Sequence, residues 1–238
     1  MKRSPILLSV AALSLIASRL HAEAEIDILR DEVRSLKLRV FAMEASSVMA
    51  LAPFVTVDPH PELGMVGPNI IFHGANVHIL SASGRTDENG KPRGLGNLVI
   101  GYNELVGPSP RAGSHNLIMG EGNGCGPLSY GCIISGSANS SNGPFCSILT
   151  GANSEVSGSD NAVLGGTGNS LTGNFGVVVG GGNNSAGDFC VVLGGDANEA
   201  SGSAACVVGG FNNGANAEFS VVLGTQNINN INPFTVAP

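Results

Sequence analysis

Basic residues are missing from more than half of this chain. All 11 Lys and Arg lie at or before Arg111, and residues 112–238 contain none. The same stretch holds seven acids: Glu121, Glu155, Asp160, Asp188, Asp196, Glu199 and Glu218. A surface without cations cannot replace the counterions of a phosphate backbone or hold to anionic lipid, so neither nucleic acid nor a membrane surface is an expected partner. Tryptophan is absent, there are 2 Tyr, and charged residues make up only 12% of the chain. Against that scarcity stand 35 Gly. So much glycine with so little charge means either disorder or a fold made of many tight turns. Regularly spaced Val/Ile/Leu triplets select the second.

Catalytic equipment is equally scarce. His115 is the only histidine after Arg111, so a Ser or Cys nucleophile there would need a base from elsewhere. The seven acids do not recur at one repeat position, which leaves no carboxylate column for a metal or for glycoside hydrolysis. The five cysteines (Cys125, Cys132, Cys146, Cys190, Cys206) show neither CxxC spacing nor a histidine pair. Cys146, Cys190 and Cys206 begin or immediately precede an apolar triplet, which reads them as small buried hydrophobes. A disulfide is the alternative in an exported chain. The stretch "VVVGGGNN" imitates a phosphate loop, but another strand follows it rather than a helix, and no lysine stands nearby. The expectation is a non-enzymatic protein with no catalytic residue, cofactor or metal.

Long apolar runs are missing too, apart from one. Lys2 and Arg3 precede the run from Pro5 to about Ala17, and small residues follow before Ala22 or Ala24. That is the pattern of a secretory signal over residues 1–22, too short to span a bilayer comfortably. No cysteine ends it, so no lipid anchor is expected. The mature chain is expected outside the cytoplasm, whether extracellular, on the cell surface or periplasmic.

Residues 23–50 read as a coiled-coil helix. Ile26, Leu29, Val33, Leu36, Val40 and Met43 follow alternating steps of three and four, a heptad a/d pattern. With Ile26 at a, the g-to-e pairs are Glu25–Arg30, Glu32–Lys37 and Arg39–Glu44, all opposite in charge. A lone amphipathic helix explains the apolar steps but not that pairing, which forms between chains in a parallel, in-register coil. Residues 51–93 read as a connector. Its proline-punctuated "APFVTVDPHPELGMVGP" is extended, and "NIIFHGANVHILSASG" supplies two short strands carrying His73 and His78 as ordinary histidines.

The rest repeats. The motifs "NLVIGYN", "NLIMGEGN", "CIISGSAN", "SILTGAN", "AVLGGTGN", "VVVGGGN", "VVLGGDAN", "CVVGGFN" and "VVLGTQN" close on Asn103, Asn123, Asn139, Asn153, Asn169, Asn183, Asn198, Asn212 and Asn227. Nine copies, mostly 14–16 residues apart, suit a mainly β fold: a parallel β-solenoid over residues 94–232, with a tail at 233–238. The asparagines and glycines would serve as corners, because both tolerate positive φ. Tyr130, Phe145, Phe175, Phe189 and Phe219, ahead of the triplets, would form an aromatic column.

Repeats such as "FCVVLGGDANEASG", together with the lead-in "GLGNLVIGYNE" and "GSHNLIMGEGN", resemble the head domains of YadA-like trimeric autotransporter adhesins over about residues 94–232. The resemblance implies a left-handed parallel β-roll with three chains around an axis. Unlike those adhesins, this chain has its coiled coil before the roll and stops at "NINPFTVAP", so no membrane anchor is expected. β-branched residues at a with Leu at d favour two strands, whereas the roll implies three. The expectation is a parallel homotrimer, with a dimer as the alternative. It would act by multivalent display as an adhesin-like surface protein or a fibre or envelope component, with extracellular matrix, glycan or envelope protein as partner. A purely architectural fibre subunit and a carbohydrate-binding or carbohydrate-cleaving solenoid are the other readings.

Overall fold

The structure is a computed structural model that describes residues 5–60, 65–104, 110–224 and 226–238. The chain divides into two compact units, Met1–Val77 and His78–Pro238.

In the first unit a single helix, α1 (Pro5–Glu44), runs through both the leader-like segment and the heptads. Proline at its first position costs no hydrogen bond, and the helix contains no glycine and no second proline. The remainder of this unit contains a hairpin, β1 (Val55–Asp58) paired antiparallel with β2 (Asn69–Phe72). Pro59 and Pro68 bound the two strands, where the missing N–H is tolerated. This corrects the connector expectation. The proline-rich stretch supplies one strand, and "NIIFHGANVHILSASG" supplies one rather than two. His73 lies just beyond β2, with Nε2 3.1 Å from Thr56 Oγ1. His78 lies in no strand.

The second unit is a parallel β-solenoid of about nine turns. Each turn contributes one short strand to each of two sheets. The long sheet has ten strands, from Leu98–Ile100 to Val236–Ala237. The short sheet has eight, from Gly124–Cys125 to Asn229–Asn230. Every strand pairs in parallel with its equivalent one turn away, for example Val177↔Val191 and Ser185↔Glu199. Val236–Ala237 pairs with Val221–Val222, so the segment expected as a tail is one more strand. Its register continues that of the strands below, which is why it joins the stack.

The core is thin because each turn buries one residue from each sheet. Ile118, Ile134, Ile148, Val163, Val178, Val192, Val207 and Val222 form the long-sheet column. Across from them lie Cys125, Ser141, Val156, Leu171, Ala186, Ala200 and Ala215. Burying a valine or isoleucine stabilises by about 1.5–3 kcal/mol. The fold repeats that contribution at every turn instead of concentrating it in one large core.

Asparagines satisfy the corners. Asn184 is fully buried; its Oδ1 accepts the Asn198 N–H at 3.0 Å, and its Nδ2 donates to the carbonyls of Gly180 and Gly195 at 2.9 and 3.1 Å. The same stack runs through Asn103, Asn123, Asn139, Ser154, Asn169, Asn184, Asn198 and Asn213. Spacings along it are 20, 16, then 15, 15, 15, 14 and 15 residues. Each Asn therefore ties two turns by side-chain bonds that take the place of a lost backbone bond at the bend. Gly181 (φ +79°) turns the chain just before the stack, and a Cβ there would collide with the carbonyl of Gly195 in the next turn.

Candidate functional site

The nine asparagines expected as equivalent corners occupy two adjacent positions. Asn103, Asn123, Asn139, Asn169 and Asn198 belong to the buried stack. Asn153, Asn183, Asn212 and Asn227 come one residue earlier, at positive φ (53°, 50°, 52° and 58°), where other turns place Gly122, Ala138, Gly168 and Ala197. Asn103 combines both features, with φ 47°. The motifs align on their last asparagine, but in four turns the residue that joins the stack is the next one: Ser154, Asn184, Asn213 or the half-buried Ile228. The doubled Asn183–Asn184 and Asn212–Asn213 were the legible signal.

A second stack lies at the opposite corner, and here cysteine takes the place of asparagine. Asn161 Oδ1 accepts the Gly176 N–H at 2.7 Å while its Nδ2 donates to the Gly173 carbonyl at 2.6 Å. Cys132 Sγ accepts the Cys146 N–H at 3.4 Å and donates to the Gly143 carbonyl at 3.2 Å. Cys190 Sγ donates to the Gly202 carbonyl at 2.9 Å. All five cysteines are free, and only Cys206 is less than fully buried. The thiols are thus small and mostly buried, but several also serve as hydrogen-bonding groups. Burial pushes the thiols of Cys125 and Cys190 above the usual cysteine range. The hydrogen bond with Cys146, together with burial, pushes Cys132 up as well. At these three positions thiolate is disfavoured, whereas the hydrogen bond with Cys132 draws Cys146 down to about 7.

The aromatic column also shifts. Phe145, Phe175, Phe189, Phe219 and Phe234 share one positive-φ position just before the second stack, whereas Tyr130 sits one residue earlier than that position. Asp160 and Ala204 interrupt the column. Phe175 stacks on Phe189 and Phe219 on Phe234, both at 5.0 Å between centroids. Tyr130 meets Phe145 edge-on at 5.1 Å.

The two outer faces of the solenoid differ chemically. The outer positions of the short sheet carry the exposed Glu155 and Glu199 and the half-buried Ser140, Ser170 and Ser185. The long sheet exposes Leu149, Leu164, Val179, Leu193, Val208 and Leu223, each 39–48% accessible. Between this column and the phenylalanines lie the half-buried Val177, Val191, Cys206 and Val221. A strand with one solvated face alternates apolar and polar residues, whereas an unbroken apolar triplet makes both faces apolar. Strands stack about 4.8 Å apart and rise about 3.3 Å per residue, so across these six turns the face measures roughly 29 Å by 13 Å, on the order of 400 Å² in projection. That is comparable to the largest apolar patch a lone soluble chain exposes.

The helix shows the same want of a partner. Ile26, Leu29, Val33, Leu36, Val40 and Met43 are 46–62% exposed. The charged residues assigned to the g and e positions are exposed too.

One further cluster is polar and inward. Ser114, wholly buried, accepts the backbone N–H groups of Arg93, Gly94 and Leu95 at 3.0, 3.1 and 3.3 Å. Glu88 accepts the Arg93 N–H at 2.7 Å, and hydrogen bonding from Ser81 holds its carboxyl below the usual range. His115 bridges the Ser81 N–H (3.2 Å, at Nε2) and the Thr86 carbonyl (2.9 Å, at Nδ1). These residues pin loop 81–95 to the solenoid, and among the described residues Glu88 Oε1 is the only buried side-chain oxygen or nitrogen left without a hydrogen-bond partner. Among the described residues no three His, Cys, Asp or Glu are grouped to hold a metal. No family model, curated protein or solved structure matches the chain.

Proposed function

We propose that this is an exported, non-enzymatic β-roll protein that associates in parallel with copies of itself and presents its polar faces outward, as an adhesin-like module or as part of a fibre or envelope assembly. The observation that carries the reading is the apolar outer face of the long sheet, regular over six consecutive turns of the solenoid and bare in the single chain. Three such faces close around an axis as a prism in which each chain meets both neighbours, which makes the homotrimer the preferred assembly over a dimer. The helix supports the same parallel arrangement independently. Its bare heptad stripe needs a partner, and the pairs Glu25–Arg30, Glu32–Lys37 and Arg39–Glu44 match between in-register helices. Left-handed winding and a coiled coil belong to this proposal, as does kinship with YadA-like heads.

Export rests on the charged start and short apolar run of the N-terminus. No helix among the described residues is long and apolar enough to cross a membrane. The mode of action comes from geometry: identical rigid faces repeated around an axis turn weak single contacts into avidity. Extracellular matrix, glycan or an envelope protein are the partner classes that residues 112–238, free of cations, can meet.

Light scattering on the mature chain tests the assembly. Three chains per particle are expected, and both Leu29→Asp/Leu36→Asp and Leu164→Asp/Leu193→Asp should lower that mass. A single-chain mass for the unsubstituted protein overturns the proposal, and a two-chain mass overturns the trimer.

A further inference from the structure

Cys132 and Cys146 occupy the same place in consecutive turns. Each stands immediately before a strand of the long sheet, and those strands pair in register as Ile133↔Ser147. Hydrogen bonds close the two turns on either side of the cysteines. The Phe145 N–H donates to the Tyr130 carbonyl at 2.9 Å, and the Ile133 N–H donates to the Cys146 carbonyl at 3.1 Å. The Cα atoms of the pair therefore lie at the spacing of neighbouring strands, about 4.8 Å. Disulfides bridge Cα atoms about 4.4–6.8 Å apart.

The two side chains also point the same way, into the core, at 2% and 0% exposure. Each Sγ meets the carbonyl two residues before it, Tyr130 at 3.5 Å or Pro144 at 3.4 Å. Each also meets a carbonyl of the next turn, Gly143 at 3.2 Å or Gly158 at 3.4 Å. Cys132 Sγ accepts the Cys146 N–H at 3.4 Å, and the two thiols hydrogen-bond to one another. No other cysteine has a cysteine beside it in an adjoining turn. Cys190 stands between Gly176 and Ala205, Cys206 between Val191 and Val221, and Cys125 between Arg111 and Ser141.

The rungs on either side show what this position does. Asn116 and Asn161 stand one turn beyond the pair, below and above. Each ties its turn to the next through its Oδ1, which accepts the Cys132 N–H at 3.0 Å or the Gly176 N–H at 2.7 Å. Sulfur is a weak acceptor, so the two cysteines leave their own turns joined here by a weaker contact than an amide makes. A covalent bond between them restores the tie. We propose that Cys132 and Cys146 form a disulfide that staples these consecutive turns together in an oxidising compartment. The compartment rests on the export proposed above; the placement of the pair does not.

The bond forms by two exchanges with a small disulfide such as oxidised glutathione, while this corner of the solenoid is open. Cys146, the more acidic of the two thiols, attacks one glutathione sulfur as a thiolate. A mixed disulfide forms, and one glutathione leaves and takes up a proton. Cys132 then loses its proton and displaces the second glutathione from the Cys146 sulfur. One S–S bond is made and one broken, and two protons and two electrons pass from the cysteines to glutathione.

The full chain, prepared reduced, can be unfolded and refolded with reduced glutathione alone or with a reduced–oxidised mixture. All five thiols should titrate in the first sample and three in the second. Chymotrypsin cuts after Phe145, so a peptide containing Cys132 should appear joined to one beginning at Cys146. Closing a loop of about 14 residues should raise Tm by roughly 5–10 °C. Cys146→Ser should keep its remaining thiols under both conditions and show no rise. Five free thiols in the mixture, a bond between any other two cysteines, or a rise that persists in Cys146→Ser overturns the proposal. If Cys146→Ser does not fold, Cys206→Ser, which leaves the pair intact, should still lose two thiols on oxidation, and an unchanged count overturns the proposal. A chain that bridges in the mixture but carries five free thiols when recovered from its native cells refutes export alone.

Discussion

Asn183 and Asn184 are identical in chemistry and adjacent in sequence, yet the structure gives them different work. Truncating each to alanine separates the two roles. Asn184→Ala removes three hydrogen bonds from a fully buried side chain. It leaves the Asn198 N–H and the Gly180 carbonyl without the partner they have here, whereas the Gly195 carbonyl still accepts from Gly182. A buried polar group stripped of its partner costs about 1–3 kcal/mol. Two such groups, partly relieved by local adjustment, give a loss of about 3 kcal/mol. For a domain of this size that corresponds to a fall of roughly 6–12 °C in Tm. Asn183→Ala removes one 3.3 Å contact to Asp196 from an exposed side chain. It also places alanine at φ 50°, a conformation asparagine tolerates better. Its expected cost is about 1 kcal/mol. Asn183→Gly, which suits that φ, should change stability by only a few tenths of a kcal/mol. Thermal unfolding followed by circular dichroism, with oligomer concentration held constant, reads all three. Equal losses for the two alanine variants, or a larger loss at Asn183, would refute the assignment of the buried stack.

Two other outcomes rest on the same kind of geometry. Gly181→Ala should destabilise by about 3 kcal/mol or more, because positive φ and the Gly195 carbonyl both oppose a Cβ; urea unfolding would show the midpoint shift, and a neutral result would mean the turns stack less tightly than described. Asp87, held by the Arg85 guanidinium at 2.8 and 2.9 Å, has its carboxyl lowered from 3.8 to about 2. A carboxyl depressed on folding contributes its stabilisation above its unfolded value and loses it as pH falls through the folded one. The Asn89 amide, which donates to Asp87, should therefore lose protection from hydrogen exchange between about pH 4 and pH 2 and not between pH 8 and pH 5. Asp87→Asn should remove that dependence.

Much of the solenoid was legible because the physics of a repeat is local and is written many times. Val177–Val179 could have belonged to any buried strand, but the same triplet followed by glycine and asparagine nine times left one economical architecture. The helix was legible for the same reason, through its a/d steps. What escaped depended on single-residue offsets. Asn153 and Asn169 end similar motifs, yet one is an exposed left-handed corner and the other a buried rung, because a single residue more or less between strand and bend decides which side chain turns inward. Tyr130 was misplaced by the same kind of slip. The cysteines offered no cue that a thiol could stand where Asn161 stands, since that equivalence exists only once the turns are superimposed. The strand at Val55–Asp58 was hidden among prolines that turn out to bound it.

The sequence by itself determined the period, the parallel β architecture, the helix and the absence of cations from the repeats, because each follows from composition or from spacing along the chain. Only the tertiary structure decided which residue of each apolar triplet faces water, which asparagines are buried, and which thiols share the stack of Asn161. Those facts belong to neighbours about one turn apart. Inward and outward acquire meaning for a side chain only when the next turn is laid upon it.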